Sequence, residues 1–137
     1  MIDLKLRPME ATDRGFVLKS WVRSYAKSPD VVYAYAERRD FMEDYTPLVD
    51  GMMRRGQVVI AGLPENPDVI AAFLCVEGDT LHWLHVKSRF RECGIAGQLL
   101  AGLEGIQLAY SHITPPAERR LRIPDGWKYR PYRRFGT

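Results

Sequence analysis

Apolar and polar residues first alternate with a period of two. In DLKLRP, Leu4 and Leu6 stand between polar neighbours, Lys5 and Arg7, which predicts a half-buried strand over residues 3–8. The period then lengthens. Val17, Trp21 and Tyr25 recur at i, i+4 and i+8, with Leu18 and Val22 alongside, and predict one apolar helix face. Thr12 or Asp13 is placed to cap that helix, and Pro29 limits its end. A second helical segment is predicted over about residues 38–54, with Phe41, Tyr45, Leu48 and Met52 on one side. Pro47 lies inside it, so either the helix kinks there or a new one starts with Thr46 as its cap.

The pattern then turns to strands. QVVIAGL (57–63) and VIAAFLCVE (69–77) are apolar strands separated by a PENPD loop. Gly78-Asp79 is a tight hairpin turn, and TLHWLHVK (80–87) is the next strand. A helix follows from Gly94 to about Leu103, carrying Ile95, Leu99, Leu100 and Leu103, and GIQLAYSHIT (105–114) reads as a further strand. Residues 115–137 are rich in Pro, Arg and Tyr and have no period. The order predicts a single α+β (mixed α/β) domain over 1–137, ending in an irregular basic segment. Its sheet is mostly antiparallel, with one parallel pair across the last helix.

Composition narrows the picture. The two cysteines, Cys75 and Cys93, make no disulfide framework, and no zinc-ligand spacing is present, so no metal is expected. No apolar segment approaches membrane-spanning length, and a cytoplasmic protein without a membrane partner is the expectation. The net charge of +3 conceals an asymmetry. Residues 117–137 hold seven Lys/Arg against two Asp/Glu, whereas the other 116 hold 13 against 15. The tail therefore suggests an acidic or nucleic-acid partner, a lid over an acceptor site, or simple packing over the sheet.

The candidate chemistry centres on LHVKSRFRECGIAGQLL. Arg91-Glu92-Cys93-Gly94-Ile95-Ala96 follows a strand that ends at Val86 and opens an apolar helix. A helix start leaves N–H groups without partners and favours anions. Gly94 and Ala96 admit a diphosphate close to the backbone, and Arg91 and Arg89 add charge. This run resembles motif A of the GCN5-related N-acetyltransferases, whose element order is also that predicted here over residues 3–112; small acetyltransferase-like proteins of tailed phages carry similar stretches.

The resemblance implies a splayed sheet and an acetyl-CoA-dependent N-acyltransferase acting on an amine acceptor. It places Val86, Lys87, Arg91, Glu92, Cys93, Gly94, Ile95, Ala96 and Gly97 at the coenzyme A seat, with the Val86 N–H on the acetyl carbonyl. By the same resemblance His82 is the candidate general base, with His85 weaker and Glu77 expected to face solvent beside the turn. Strand alternation puts His82 on the face of Leu84 and Val86, and His85 on the other. The helix that carries the family's proton-donating tyrosine has no counterpart here, leaving Tyr110, Tyr129 or Tyr132 as candidates. Cys93 fills the loop and is not expected to be a nucleophile. The alternative function is an inactive acetyltransferase-like module that binds protein or nucleic acid through its basic tail. A homodimer is a further expectation from the resemblance.

Overall fold

In this computed structural model residues 3–27, 33, 35–91, 93–103, 108–112 and 126–136 are described. Among them the chain runs β1 (Lys5–Pro8), α1 (Arg14–Lys27), α2 (Arg38–Arg55), β2 (Gln57–Leu63), β3 (Asn66–Glu77), β4 (Thr80–Val86), α3 (Ile95–Ala101), β5 (Ala109–Tyr110) and β6 (Lys128–Tyr129). The strands form one mixed sheet in the order β1-β2-β3-β4-β5-β6. Pairs from β1 to β4 are antiparallel, and β4–β5 and β5–β6 are parallel. The predicted α+β architecture is the one the chain adopts.

Alternation along the strands feeds two cores. Val58, Ile60, Phe73, Cys75 and Trp83 face α1 and α2 and meet Val17, Trp21, Tyr25, Phe41, Tyr45, Val49 and Met52. Ala61, Ala72 and Leu74, on the opposite face, meet Ile95 and Leu99 of α3. The alanines there are small enough to let the two turns of α3 approach the sheet closely. At the junction of α2 and β2, a Cβ on Gly56 would stand 2.7 Å from the Val76 carbonyl oxygen, so only glycine fits that crossing.

Several local expectations need correction. Leu6 is 57% exposed, because β1 is the edge strand and its outer face has little over it among the described residues. The PENPD loop shrinks to a turn at Pro64-Glu65, and β3 begins at Asn66. Helix α2 passes unbroken through Pro47, without a new start at Thr46. The N–H that Pro47 lacks would have served the Glu43 carbonyl, and both residues lie on the exposed side, where water can take that carbonyl. Ahead of α1 a 3-10 turn, Ala11–Asp13, forms first. The Asp13 carboxylate accepts the Glu10 N–H at 2.9 Å and two bonds from Arg7 at 2.6 and 3.0 Å.

The tail is only partly irregular. Residues 128–129 form β6, Pro131–Phe135 forms a 3-10 helix, and Arg134 is buried at 2% exposure. Residues 113–125, with much of the tail and the end of the predicted 105–114 strand, lie outside the described residues.

Candidate active site at the open edge of β4

Strand β4 is paired unequally on its two sides. Toward β3 the ladder covers its length, from Glu77↔Thr80 to Ala72↔Val86. Toward β5 it covers Thr80 and Leu81 among the described residues, where the last bond across runs from the Ser111 N–H to the Leu81 carbonyl at 3.2 Å. Among the described residues, which end at His112 on that side, the two parallel strands are not paired beyond Leu81. The Lys87 N–H bonds Ala71 on the β3 side at 2.9 Å. By alternation the Val86 N–H points the other way, into the gap. The Val86 carbonyl accepts a bond from Arg91 Nε at 3.1 Å, which ties the arginine to the end of the open edge.

Beyond β4 a 3-10 turn, Ser88–Phe90, leads to Gly94, whose φ of 78° is the left-handed conformation that favours glycine. Gly94 caps α3, which starts one residue later than the sequence suggests and ends at Ala101. The first helical bond runs from Gln98 N–H to the Gly94 carbonyl at 3.1 Å, so the amides of Ile95, Ala96 and Gly97 precede it. A Cβ built on Gly94 or Gly97 meets no atom within 4 Å, so the space in front of this turn is open. The Ile95 side chain is 1% exposed and anchors the turn in the core. Glu92 lies outside the described residues.

The histidines depart from simple alternation. Trp83 pairs with Cys75 and Leu81 with Val76, which leaves His82 as the extra residue of a bulge. The bulge corrects the expected facing: His82 turns away from Leu84 and Val86 and joins the helix side. There it is 1% exposed. Its Nε2 meets Glu77 Oε1 at 2.8 Å and its Nδ1 meets Ser111 Oγ at 2.6 Å. Both ring nitrogens are engaged, so any base role for His82 runs through its neighbours.

The chain continues inward. Ser111 Oγ lies 2.7 Å from His112 Nδ1, and His112 Nε2 lies 2.5 Å from Tyr45 Oη. Arg134 Nη1 donates to the hydroxyls of Tyr25 and Tyr45, both at 3.0 Å, and its Nη2 donates to the Ser111 carbonyl. At the outer end, Arg55 Nε holds Glu77 Oε2 at 3.0 Å. Glu77 is thus not the solvent-facing turn residue expected, but the half-buried end of a polar chain.

Burial shapes the titration of these groups. It lowers His82, against the opposing pull of Glu77. Burial, then Arg134 and His82, hold His112 well below the usual histidine range. His85 packs on Phe73 with ring centres 5.1 Å apart, and burial, then Arg91 and Lys27, bring it down to about 4. Burial would raise Glu77, but the bonds from His82 and Arg55 outweigh it and leave the carboxyl below its usual range. Burial pushes the Cys75 thiol up to about 12, far from a thiolate nucleophile. Cys93 Sγ rests 3.6 Å from the Arg91 carbonyl oxygen.

The structure does not bring the tyrosine candidates to His82. Tyr110 pairs with Tyr129 across β5 and β6, with ring centres 5.5 Å apart. Tyr110 points to the face opposite Ser111, by alternation. Tyr132 is 81% exposed. The residues that sequence reasoning missed are Tyr45, Ser111, His112 and Arg134. They lie far apart in the chain, and the one local signal was a Ser-His pair closing an alternating run. An open groove of about 680 Å3 was also unforeseen; Arg7, Asp13, Phe16, Asp68, Lys87 and Arg89 line it on the β3 side of β4. Among the described residues no group of His, Cys, Asp or Glu is arranged to hold a metal ion, and no helix is long and apolar enough to cross a membrane.

No protein-family model and no curated protein matches the sequence. The backbone, however, is similar to solved structures. It matches YycN of Bacillus subtilis, itself only provisionally assigned as an acetyltransferase, over 90% of this chain and 94% of that one, with a TM-score of 0.64 and 17% identity. It matches a GCN5-related N-acetyltransferase from Rhodopseudomonas palustris over 87% and 78%, with a TM-score of 0.58 and 19% identity. It also matches the apo form of YjaB from Escherichia coli over 74% of this chain and 64% of that one, with a TM-score of 0.53 and 16% identity. The fold expected from the motif is therefore the fold found.

Proposed function

From the acetyltransferase fold that the chain shares with these proteins, we infer that it is an acetyl-CoA-dependent N-acyltransferase acting on an amine. The observation that carries this reading is the one-sided pairing of β4. Among the described residues the strand edge is unpaired from His82 to Val86 and runs straight into a glycine turn whose amides precede the first helical bond, with an arginine beside it. Acetyl-CoA would bring the acetyl thioester, and the residues present fit it. The amides of Ile95, Ala96 and Gly97, with Arg91, form a seat suited to a diphosphate; Lys87, expected there, reaches instead over the Phe16 ring in the groove on the β3 side. Glycine at 94 and 97 leaves the approach clear. The Val86 N–H, turned into the gap, is a donor for the oxygen on which negative charge develops when the amine attacks. Donors of this kind are worth about 3 kcal/mol of barrier.

The acceptor amine must lose a proton to become a nucleophile. His82 can take that proton only through Glu77 or Ser111, which hold both of its ring nitrogens. Tyr110 and Tyr129 remain proposals for the proton donor to the leaving thiolate, on the face that carries α3. The competing reading, a binding module acting through its basic tail, loses two cations to internal contacts: Arg134 is buried and Arg133 pairs with Asp79.

Calorimetric titration with acetyl-CoA, desulfo-CoA and ATP tests the enzyme reading. Micromolar binding of the first two and not of ATP is the expected result. A folded protein that binds neither coenzyme A form would sink it.

A further inference from the structure

The chain has three histidines, and two of them have both ring nitrogens bonded. His82 and His112 are links of the buried polar chain. His85 makes no hydrogen bond among the described residues, although its ring packs on Phe73. The buried side-chain nitrogens and oxygens left without a partner there are the indole nitrogens of Trp21 and Trp83. Those of His85 are not among them, so its unbonded nitrogens are ones that solvent reaches.

Past the bulge, alternation resumes. Trp83 joins the aromatic core, Leu84 and Val86 pack toward α3, and His85, against Phe73, stands on the helix side. Lys87 comes next on that side, where its ammonium lies over the Phe16 ring of α1 at 5.8 Å. Residues i and i+2 of a strand are about 7 Å apart, so His85 stands one step in from the open groove that Lys87, Phe16 and Ile70 help to line. Val86, whose N–H turns into the gap, is its immediate neighbour. A free imidazole, an open approach and a donor for the developing oxyanion thus meet within three residues. The glycine turn and α3 lie on the other face.

We propose that His85 is the catalytic base of the acyl transfer and takes a proton from an amine that enters by the groove beside α1. This rests on the acyltransferase reading. The lone pair of a free His85 nitrogen forms an N–H bond as an N–H bond of the acceptor ammonium breaks. The freed amine attacks the thioester carbon, a C–N bond forms and the C–S bond breaks. The amine nitrogen sheds a second proton on becoming an amide, and the departing thiolate gains one. His85 returns its proton to water through the groove. One proton therefore leaves per turnover, and the imidazole ends as it began.

The charges around the imidazole decide when it can act. Burial, then Arg91 and Lys27, bring it down to about 4, and β3 presents only the uncharged Phe73 ring. Arg91 is also the cation at the proposed diphosphate seat. A diphosphate there offsets that charge and moves the imidazole up toward the neutral range, where a base works best. Loading of one substrate thereby prepares the base for the other.

Two readouts test the assignment, and the first needs no acceptor. The His85 ring is followed by NMR through a pH titration, with and without saturating desulfo-CoA. The expected midpoint is about 4 in the free protein, rising in the complex by about one pH unit or more, a tenfold gain in proton affinity. A midpoint that bound desulfo-CoA leaves unmoved overturns the proposal. The second readout is His85→Gln, assayed at saturating acetyl-CoA with spermidine and tryptamine as acceptors. Turnover is expected to fall by about 100-fold or more, with acetyl-CoA affinity unchanged. The limb of the kcat/KM–pH profile that His85 contributes is expected to vanish, which loss of a packing contact would not achieve. Wild-type turnover or an unaltered profile in the variant overturns the base role. Failure of the acyltransferase reading is distinguishable, since the wild-type protein would then bind neither acetyl-CoA nor desulfo-CoA.

Discussion

The two faces of the sheet are built on different principles. The α3 face is apolar and lightly built: three alanines, Leu74, Phe90 and two anchors from a two-turn helix. The α1 and α2 face is large and aromatic, with Trp21 stacked on Trp83 at 5.9 Å and a buried polar chain threading between the rings. The apolar face needs only volume and alternation. The mixed face must also satisfy the donors and acceptors that it buries, since an unmet one costs about 1–3 kcal/mol, and among the described residues it leaves two unmet, the indole N–H groups of Trp21 and Trp83. The comparison teaches where to expect fragility: stability concentrates on the aromatic face, whereas the proposed cofactor seat stands at the margin of the lighter one.

The sharpest way to break that contrast is to truncate one anchor on each side. Trp21 is fully buried among rings, and Trp21→Ala is expected to cost about 4 kcal/mol, leaving a marginal fold. Leu99→Ala, on the short α3, is expected to cost about 2 kcal/mol. Chemical denaturation of both variants checks the order, and equal losses would abolish the distinction between the faces.

Acid separates the faces next, because His82, His85 and His112 all lie on the aromatic side. Each titrates lower when folded than when unfolded, so the unfolded chain binds the proton first. The stability they contribute is whole above about pH 6.5 and drains away as pH falls toward 4. Asp13, held down by its bond from Arg7, and Glu77 add to the loss at still lower pH, as their carboxylates protonate. Urea midpoints are expected to fall steadily from pH 7 to 4.5, by about 2 kcal/mol in stability. A flat profile would contradict neutral buried imidazoles.

A smaller effect sharpens the other face. Gly94→Ala places a Cβ in open space, so its whole cost is the left-handed conformation, about 1–2 kcal/mol. Acetyl-CoA affinity should fall along with stability as the turn rearranges, which calorimetry would read. The smallest effect is expected at the rim, where Leu6→Lys should change stability by less than about 0.5 kcal/mol.

Much of the fold was legible because it rests on local period. The run of Val17, Trp21 and Tyr25 spaced by four gave α1, and the Gly78-Asp79 turn between apolar runs gave the β3–β4 hairpin. Leu6 was misjudged because its outcome depends on which neighbours cover it, a property of the assembled sheet and not of the segment; at Pro47, where a kink and a new start were both open, the continuous helix excludes only the new start. The glycine turn was legible as a motif for the same local reason. The polar chain was not: its links sit at positions 45, 77, 82, 111 and 112, and only the bulge at His82 brings them into line. A bulge adds one residue to a strand without marking the sequence, so alternation alone placed His82 on the wrong face.

The central claim is that the open edge of β4 and the turn after it hold acetyl-CoA. Amide chemical-shift mapping during titration with acetyl-CoA tests it directly. The largest changes are expected at Val86 and at Gly94, Ile95, Ala96 and Gly97. Changes confined to the Arg7, Asp68 and Arg89 groove, or none at all, would contradict it.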